Sequence, residues 1–105
     1  MKGVEMASEH VLHLSGELDI AVIEPVRATW YAIAEQAKPD VIVLDLEAVT
    51  FLDSFALGAF VGLRRRQLEH GGDVVVVNAS PSIATVFALT GLHEVFGVGA
   101  GRPGA

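Results

Sequence analysis

The residues best placed to do chemistry are Asp53 and Ser54, within Thr50-Phe51-Leu52-Asp53-Ser54-Phe55-Ala56-Leu57-Gly58. A carboxylate beside a hydroxyl at the start of a helix has two uses. Asp53 can cap the helix, accepting backbone N–H bonds at the positive end of its dipole. Ser54 offers a hydroxyl that a kinase could phosphorylate. The added charge, roughly −1.5 to −2, gains from the helix N-terminus, loses against Asp53, and chiefly alters what can dock. Phe55 adds an aromatic ring that neither use requires.

Other constellations carry less. His10, His13, His70 and His93 have neither metal-ligand spacing nor the H-E-x-x-H partner glutamate. Asp53, Ser54 and a distant histidine do not make a triad, because no nucleophile-elbow glycines surround the serine. Arg64-Arg65-Arg66 points three ways around a helix and reads as a solvated end, favourable near a helix C-terminus. No Gly-rich nucleotide loop precedes a helix. We therefore expect no metal, no cofactor and no enzyme activity.

Composition narrows the classes further. The chain has 105 residues, 51% of them apolar, which suits one domain with a real core. Its formal net charge is −6, so it has no electrostatic footprint for nucleic acid, and an anionic membrane surface repels it. It has no cysteine, which excludes disulfides, thiol catalysis and thiolate metal sites. Glu5 falls where a signal peptide needs its apolar run, and no apolar run is long enough to span a bilayer. The expectation is a soluble, cytoplasmic protein without a membrane anchor.

These residues need elements to position them. Residues 3–15 read as a hairpin with an edge strand, broken at Gly16. Leu18-Asp19 leads into a first helix, whose inner face is Val22, Val26, Trp30, Ile33 and Ala37 and whose first turn accommodates Pro25. Val41–Leu46 and Val74–Val77 are continuous apolar runs, as buried parallel strands are. Ser80-Pro81 starts a third helix with inner face Ile83, Val86, Phe87 and Thr90, and Gly91-Leu92 ends it. Glu94–Val98 reads as a last short strand. The domain spans 1–98, with a mobile Gly/Ala/Pro-rich tail at 99–105. The fold class is α/β: a mixed four- to five-stranded sheet, an N-terminal hairpin followed by parallel strands, packed with helices.

The second helix runs from Asp53 to Gly71-Gly72. At about 100° per residue, Leu57, Phe60, Val61, Arg64 and Leu68 share the side that meets the sheet, with Arg64 reaching for solvent. Phe55, Ala59, Gly62 and Arg66 share the opposite side, flanked by Gly58, Arg65 and Glu69. Two readings of that side stand open. Other parts of the fold cover it, or it is a docking trough for another protein, apolar with an Arg/Glu rim.

Four strings resemble the STAS domain family, and specifically bacterial anti-sigma factor antagonists. They are Gly16-Glu17-Leu18-Asp19, Phe51-Leu52-Asp53-Ser54-Phe55-Ala56-Leu57-Gly58, Gly71-Gly72 followed by Asn78-Ala79-Ser80-Pro81, and Thr90-Gly91-Leu92. The resemblance implies a partner-switching module. Such antagonists bind an anti-sigma factor that is also a serine kinase, which frees the sigma factor. The kinase then phosphorylates the hydroxyl in D-S-[ST]-G and breaks the complex. Carried onto this chain, the resemblance implies partner-binding residues Asp19, Asp53, Ser54, Phe55, Ala56 and Gly58, to which the outward side of the second helix adds Ala59, Gly62 and Arg66. Phe55 stands at the usual acceptor position and cannot take a phosphoryl group, and Ala56 replaces the following glycine. Ser54 is the remaining candidate for phosphorylation. The resemblance also admits a STAS subunit of a larger assembly, stressosome-like or transporter-associated, with Phe55 as a permanent anchor. A ligand sensor using the loops at the strand ends is a third class, without a convergent polar set to support it.

Overall fold

A β-branched apolar run forms the middle of the sheet. In a computed structural model of the chain, which describes residues 9–37 and 40–98, β2 (Val41–Leu52) lies between β1 (Glu9–Leu18) and β3 (Asp73–Val77). Both pairings are parallel, with Val11, Val43 and Val75 in register across the three strands. The strands alternate with α1 (Ile20–Ala37) and α2 (Ser54–Glu69), and α3 (Pro81–Leu89) and α4 (His93–Phe96) follow.

The described sheet is therefore three-stranded and parallel, where the sequence reading expects a mixed sheet of four to five strands. The first arm of the expected hairpin lies outside the described residues. Its second arm pairs with β2 and continues past Gly16 to Leu18. Gly16 takes a left-handed φ of 77° at a register shift, so it bulges the strand instead of ending it. Residues 93–96 form a helical turn, not the expected strand, and Gly97 closes it at φ 72°. Periodicity cannot separate strand from helix over so short an apolar run. The helical turn aims Phe96 into the core.

Alternation sets that core. Ile42, Leu44 and Leu46 of β2 and Val74 and Val76 of β3 are buried on the face that carries the helices. Two right-handed crossovers in one direction place α1 and α2 side by side on this face. Trp30 of α1 meets Phe60 of α2 at 5.7 Å between ring centroids. Phe87 of α3 and Phe96 of α4 close on the same Phe60 at 6.4 and 6.5 Å. Phe60 is fully buried, and a phenylalanine so placed contributes about 1.5–3 kcal/mol.

Local chemistry ends the helices. After α2, Gly71 adopts φ 86°, its N–H bonds to Leu68 O, and the Gly72 N–H bonds to Gln67 O. After α3, Gly91 and Leu92 repeat the pattern onto Ala88 O and Phe87 O. Ser80 caps α3 through the Ile83 N–H at 3.3 Å, with Pro81 in the first helical position. Two details of α1 differ from expectation. Pro25 lies in the second turn, so one backbone hydrogen bond is forgone. The buried face is Ile23, Trp30 and Ala34, with the expected Val26 and Ile33 half-buried against the core, whereas Val22 is exposed in the first turn. The side chain of Ala37 lies outside the described residues.

Candidate docking site

β1 and β2 end at the same level, tied by the Asp53 N–H donating to Leu18 O at 3.1 Å. An aspartate follows each strand and caps the next helix. Asp53 Oδ1 accepts from the Ala56 N–H at 2.9 Å, and Asp19 Oδ1 accepts from the Val22 N–H at 3.1 Å. Two helix N-termini thus stand together at the carboxyl end of the sheet, each with its own carboxylate. Both aspartates are engaged as caps, which fixes the backbone on which neighbouring side chains are displayed.

Ser54 is the first residue of α2, and its side chain is exposed. One turn on, a Cβ added at Gly58 would meet nothing within 4 Å, so the helix surface there is open. Phe55 is half-buried and packs against the core. The Arg27 guanidinium of α1 lies 5.3 Å from its ring centroid, and Glu24 holds Arg27 by an ion pair at 3.1 Å. The ring is thus wedged between the two helices.

That placement corrects the face assignment of α2. The side expected to point outward turns towards α1 instead. Ala59 is buried. Gly62 lies beneath the hydroxyl of Tyr31, and Arg66 stacks on the Tyr31 ring at 4.0 Å. The side that faces inward is Ala56, Leu57, Ala59, Phe60, Leu63 and Gln67. Leu68, expected to meet the sheet, is exposed, and Arg64, expected to reach solvent, pairs with Asp73 at 3.0 Å. The physical reason is that α2 packs against α1 as well as the sheet, and its Phe60 also meets Phe87 of α3 and Phe96 of α4, so its covered arc is wide and rotated. The open stripe that remains is Ser54, Gly58, half-buried Val61, Arg65 and Leu68.

Of the anticipated residues, Asp19, Asp53, Ser54, Phe55 and Gly58 come together at the helix starts. Ala56 and Ala59 support them from beneath. Gly62 and Arg66 lie about 12 to 18 Å further along α2, from the helical rise. Two apolar side chains escaped the sequence reading. Ile20 is 55% exposed, and Phe51 is 49% exposed beside Glu17 on β1. A signal for each exists: Ile20 directly follows a capping aspartate, and Phe51 alternates with buried Leu52.

No group of three metal-ligating side chains occurs among the described residues. No described helix is long and apolar enough to cross a membrane. What the site presents is two capped helix starts, an open glycine, a wedged aromatic and a few exposed apolar side chains.

The fold and site define a small α/β domain with two capped helix starts side by side at the carboxyl end of a parallel sheet. Residues 3–102 match the family model of the STAS domain, and the chain belongs to that family. It is 37% identical over 83 residues to the anti-sigma F factor antagonist of Lysinibacillus sphaericus, covering 78% of this chain and 70% of the relative. It superposes on the anti-sigma factor antagonist SpoIIAA in its unphosphorylated form with a TM-score of 0.75 and 29% identity, covering 88% of this chain and 80% of that one. The Bacillus SpoIIAA in its phosphorylated form gives a TM-score of 0.67 at 29% identity, covering 88% of this chain and 83% of that one.

Proposed function

We propose that this chain is an anti-sigma factor antagonist of the bacterial cytoplasm that works by binding and not by catalysis. It binds an anti-sigma factor that is also a serine kinase, and so frees the sigma factor. The docking residues are Asp19, Asp53, Ser54, Phe55 and Gly58, shaped from beneath by Ala56 and Ala59 and continuing to Gly62 and Arg66. The kinship with antagonists of the same size and fold supports this reading.

The control differs from that of a phospho-switched antagonist. One observation carries this: position 55 holds a phenylalanine wedged against α1 under Arg27, where the motif has its acceptor hydroxyl. A hydrocarbon ring accepts no phosphoryl group. The kinase partner therefore has no substrate at the usual position, and the complex is constitutive or is regulated by other means. Ser54 keeps a hydroxyl one residue earlier, on a different side of the helix.

The test is titration of the purified chain against each anti-sigma factor of the organism that carries it. Saturable one-to-one binding to one of them is expected. Gly58→Trp places an indole on the open stripe without disturbing the core, and should abolish binding while the melting temperature holds. Binding unaffected by that indole would move the docking surface elsewhere.

A further inference from the structure

The arginine end of α2 is organised in a way the helix start does not require. Arg64 is used internally, against Asp73. Arg65 and Arg66 are exposed, and neither has an ion pair among the described residues. The chain has 13 acidic residues and only 7 Lys and Arg, so two adjacent arginines with no ion pair among the described residues stand out, Glu69 being the one carboxylate that shares their cleft. Arg66 is also held in place, its guanidinium 4.0 Å from the Tyr31 ring centroid. Tyr31 reaches that position only because residue 62 is glycine, since a Cβ there would lie 2.8 Å from the phenolic oxygen. Together Tyr31, Gly62, Arg65, Arg66 and Glu69 line an open cleft of about 300 Å³.

The cleft is in line with the docking site. Ser54 and Arg65 are eleven positions apart, which at 3.6 residues per turn brings them within about 20° of one another around the helix and about 16 Å apart along it. Gly58 lies between them with nothing within 4 Å of its missing Cβ. The open stripe therefore runs from the helix start to the arginines.

We propose that the docking surface continues along α2 into this cleft, and that the cleft receives an acidic side chain of the protein partner. This rests on the docking reading above and specifies the partner's chemistry. Arg66 is oriented by its stack to present a fork of donors, Arg65 adds a second cation, and the Tyr31 hydroxyl is a further donor. A free phosphate suits the place less well. The cleft lies in the C-terminal half of α2, where the helix dipole opposes anions, the backbone N–H groups are spent within the helix, and Glu69 stands on the rim. A singly charged carboxylate, delivered by a partner already seated at the helix start, binds at high effective concentration.

The experiment measures affinity for the anti-sigma partner at low and high salt. It compares the wild-type chain, Arg65→Ala/Arg66→Ala, Arg65→Lys/Arg66→Lys and Gly58→Trp, with thermal melts to verify folding. The alanine pair should weaken binding about tenfold and flatten its salt dependence, as loss of one side of a partly desolvated charge pair does. The lysine pair folds with the same charge and should recover part of the loss. Alanine-pair binding within about twofold of wild type, with Gly58→Trp still inactive, would overturn the cleft and leave the docking site standing. A wild-type chain that binds no anti-sigma factor overturns both. Inorganic phosphate that saturates the cleft without the partner, followed by tyrosine and arginine NMR shifts lost in the alanine pair, would also overturn the assignment to a protein carboxylate.

Discussion

At the scale of single residues, Phe55 and Asp45 show what position does to chemistry. Phe55 follows a capping aspartate and a serine, in the place of a hydroxyl, and its ring is packed where a small polar group would stand open. Asp45 of β2, outside the docking residues, is a carboxylate engaged by three groups. It accepts from the Glu47 backbone N–H at 3.0 Å and from the Asn78 amide at 3.2 Å, and it meets His13 Nδ1 at 3.0 Å. The Glu47 N–H above all, then Asn78 and His13, hold its carboxyl below the usual carboxylate range against the opposing effect of desolvation. The unfolded chain thus binds this proton more readily than the folded one, so stability is present above the unfolded carboxylate value and is lost as pH falls through the folded one. Urea midpoints measured down through the acid range should fall less steeply in Asp45→Asn than in the wild type. Parallel curves would show that the network does not act on this carboxyl.

At the scale of elements, the glycines of α2 and its exit are not equivalent. Gly58 is inside the helix and faces open space, so Gly58→Ala adds helix propensity without a clash and should stabilise the fold by about 0.5–1 kcal/mol. Gly72 lies against the Asp40 carbonyl and the Gln67 side chain, whose Nε2 donates to that carbonyl at 2.7 Å. Backbone cannot give way as a side-chain tip can, so Gly72→Ala should destabilise by about 1–3 kcal/mol or more. Opposite signs in urea unfolding check the pair, and equal effects would contradict the packing described.

The same contrast explains what could be read in advance. Ser80-Pro81, Gly91-Leu92, Gly71-Gly72 and the Asp53 cap were legible because each acts within a few residues of itself. The buried runs in β2 and β3 were legible from unbroken apolar sequence. Which side of α2 is covered was not, because it depends on Tyr31, Trp30 and Arg27 arriving from another helix. The α4 turn was not legible either, since only Phe87 and Phe60 tell Phe96 where to point.

At the scale of the molecule, we propose that the two capped helix starts, the open stripe of α2 and Arg65 and Arg66, which have no ion pair among the described residues, form one docking surface of this STAS domain. We propose that this surface docks without the phospho-switch. The most direct measurement is incubation of the complex with ATP and magnesium, followed by intact-mass and peptide mapping beside size-exclusion of the same sample. The expected result is an unmodified chain that stays bound, and a Phe55→Ser variant that acquires phosphate at residue 55 and lets go. Stoichiometric phosphate on Ser54 of the wild-type chain, with release of the partner, would contradict it.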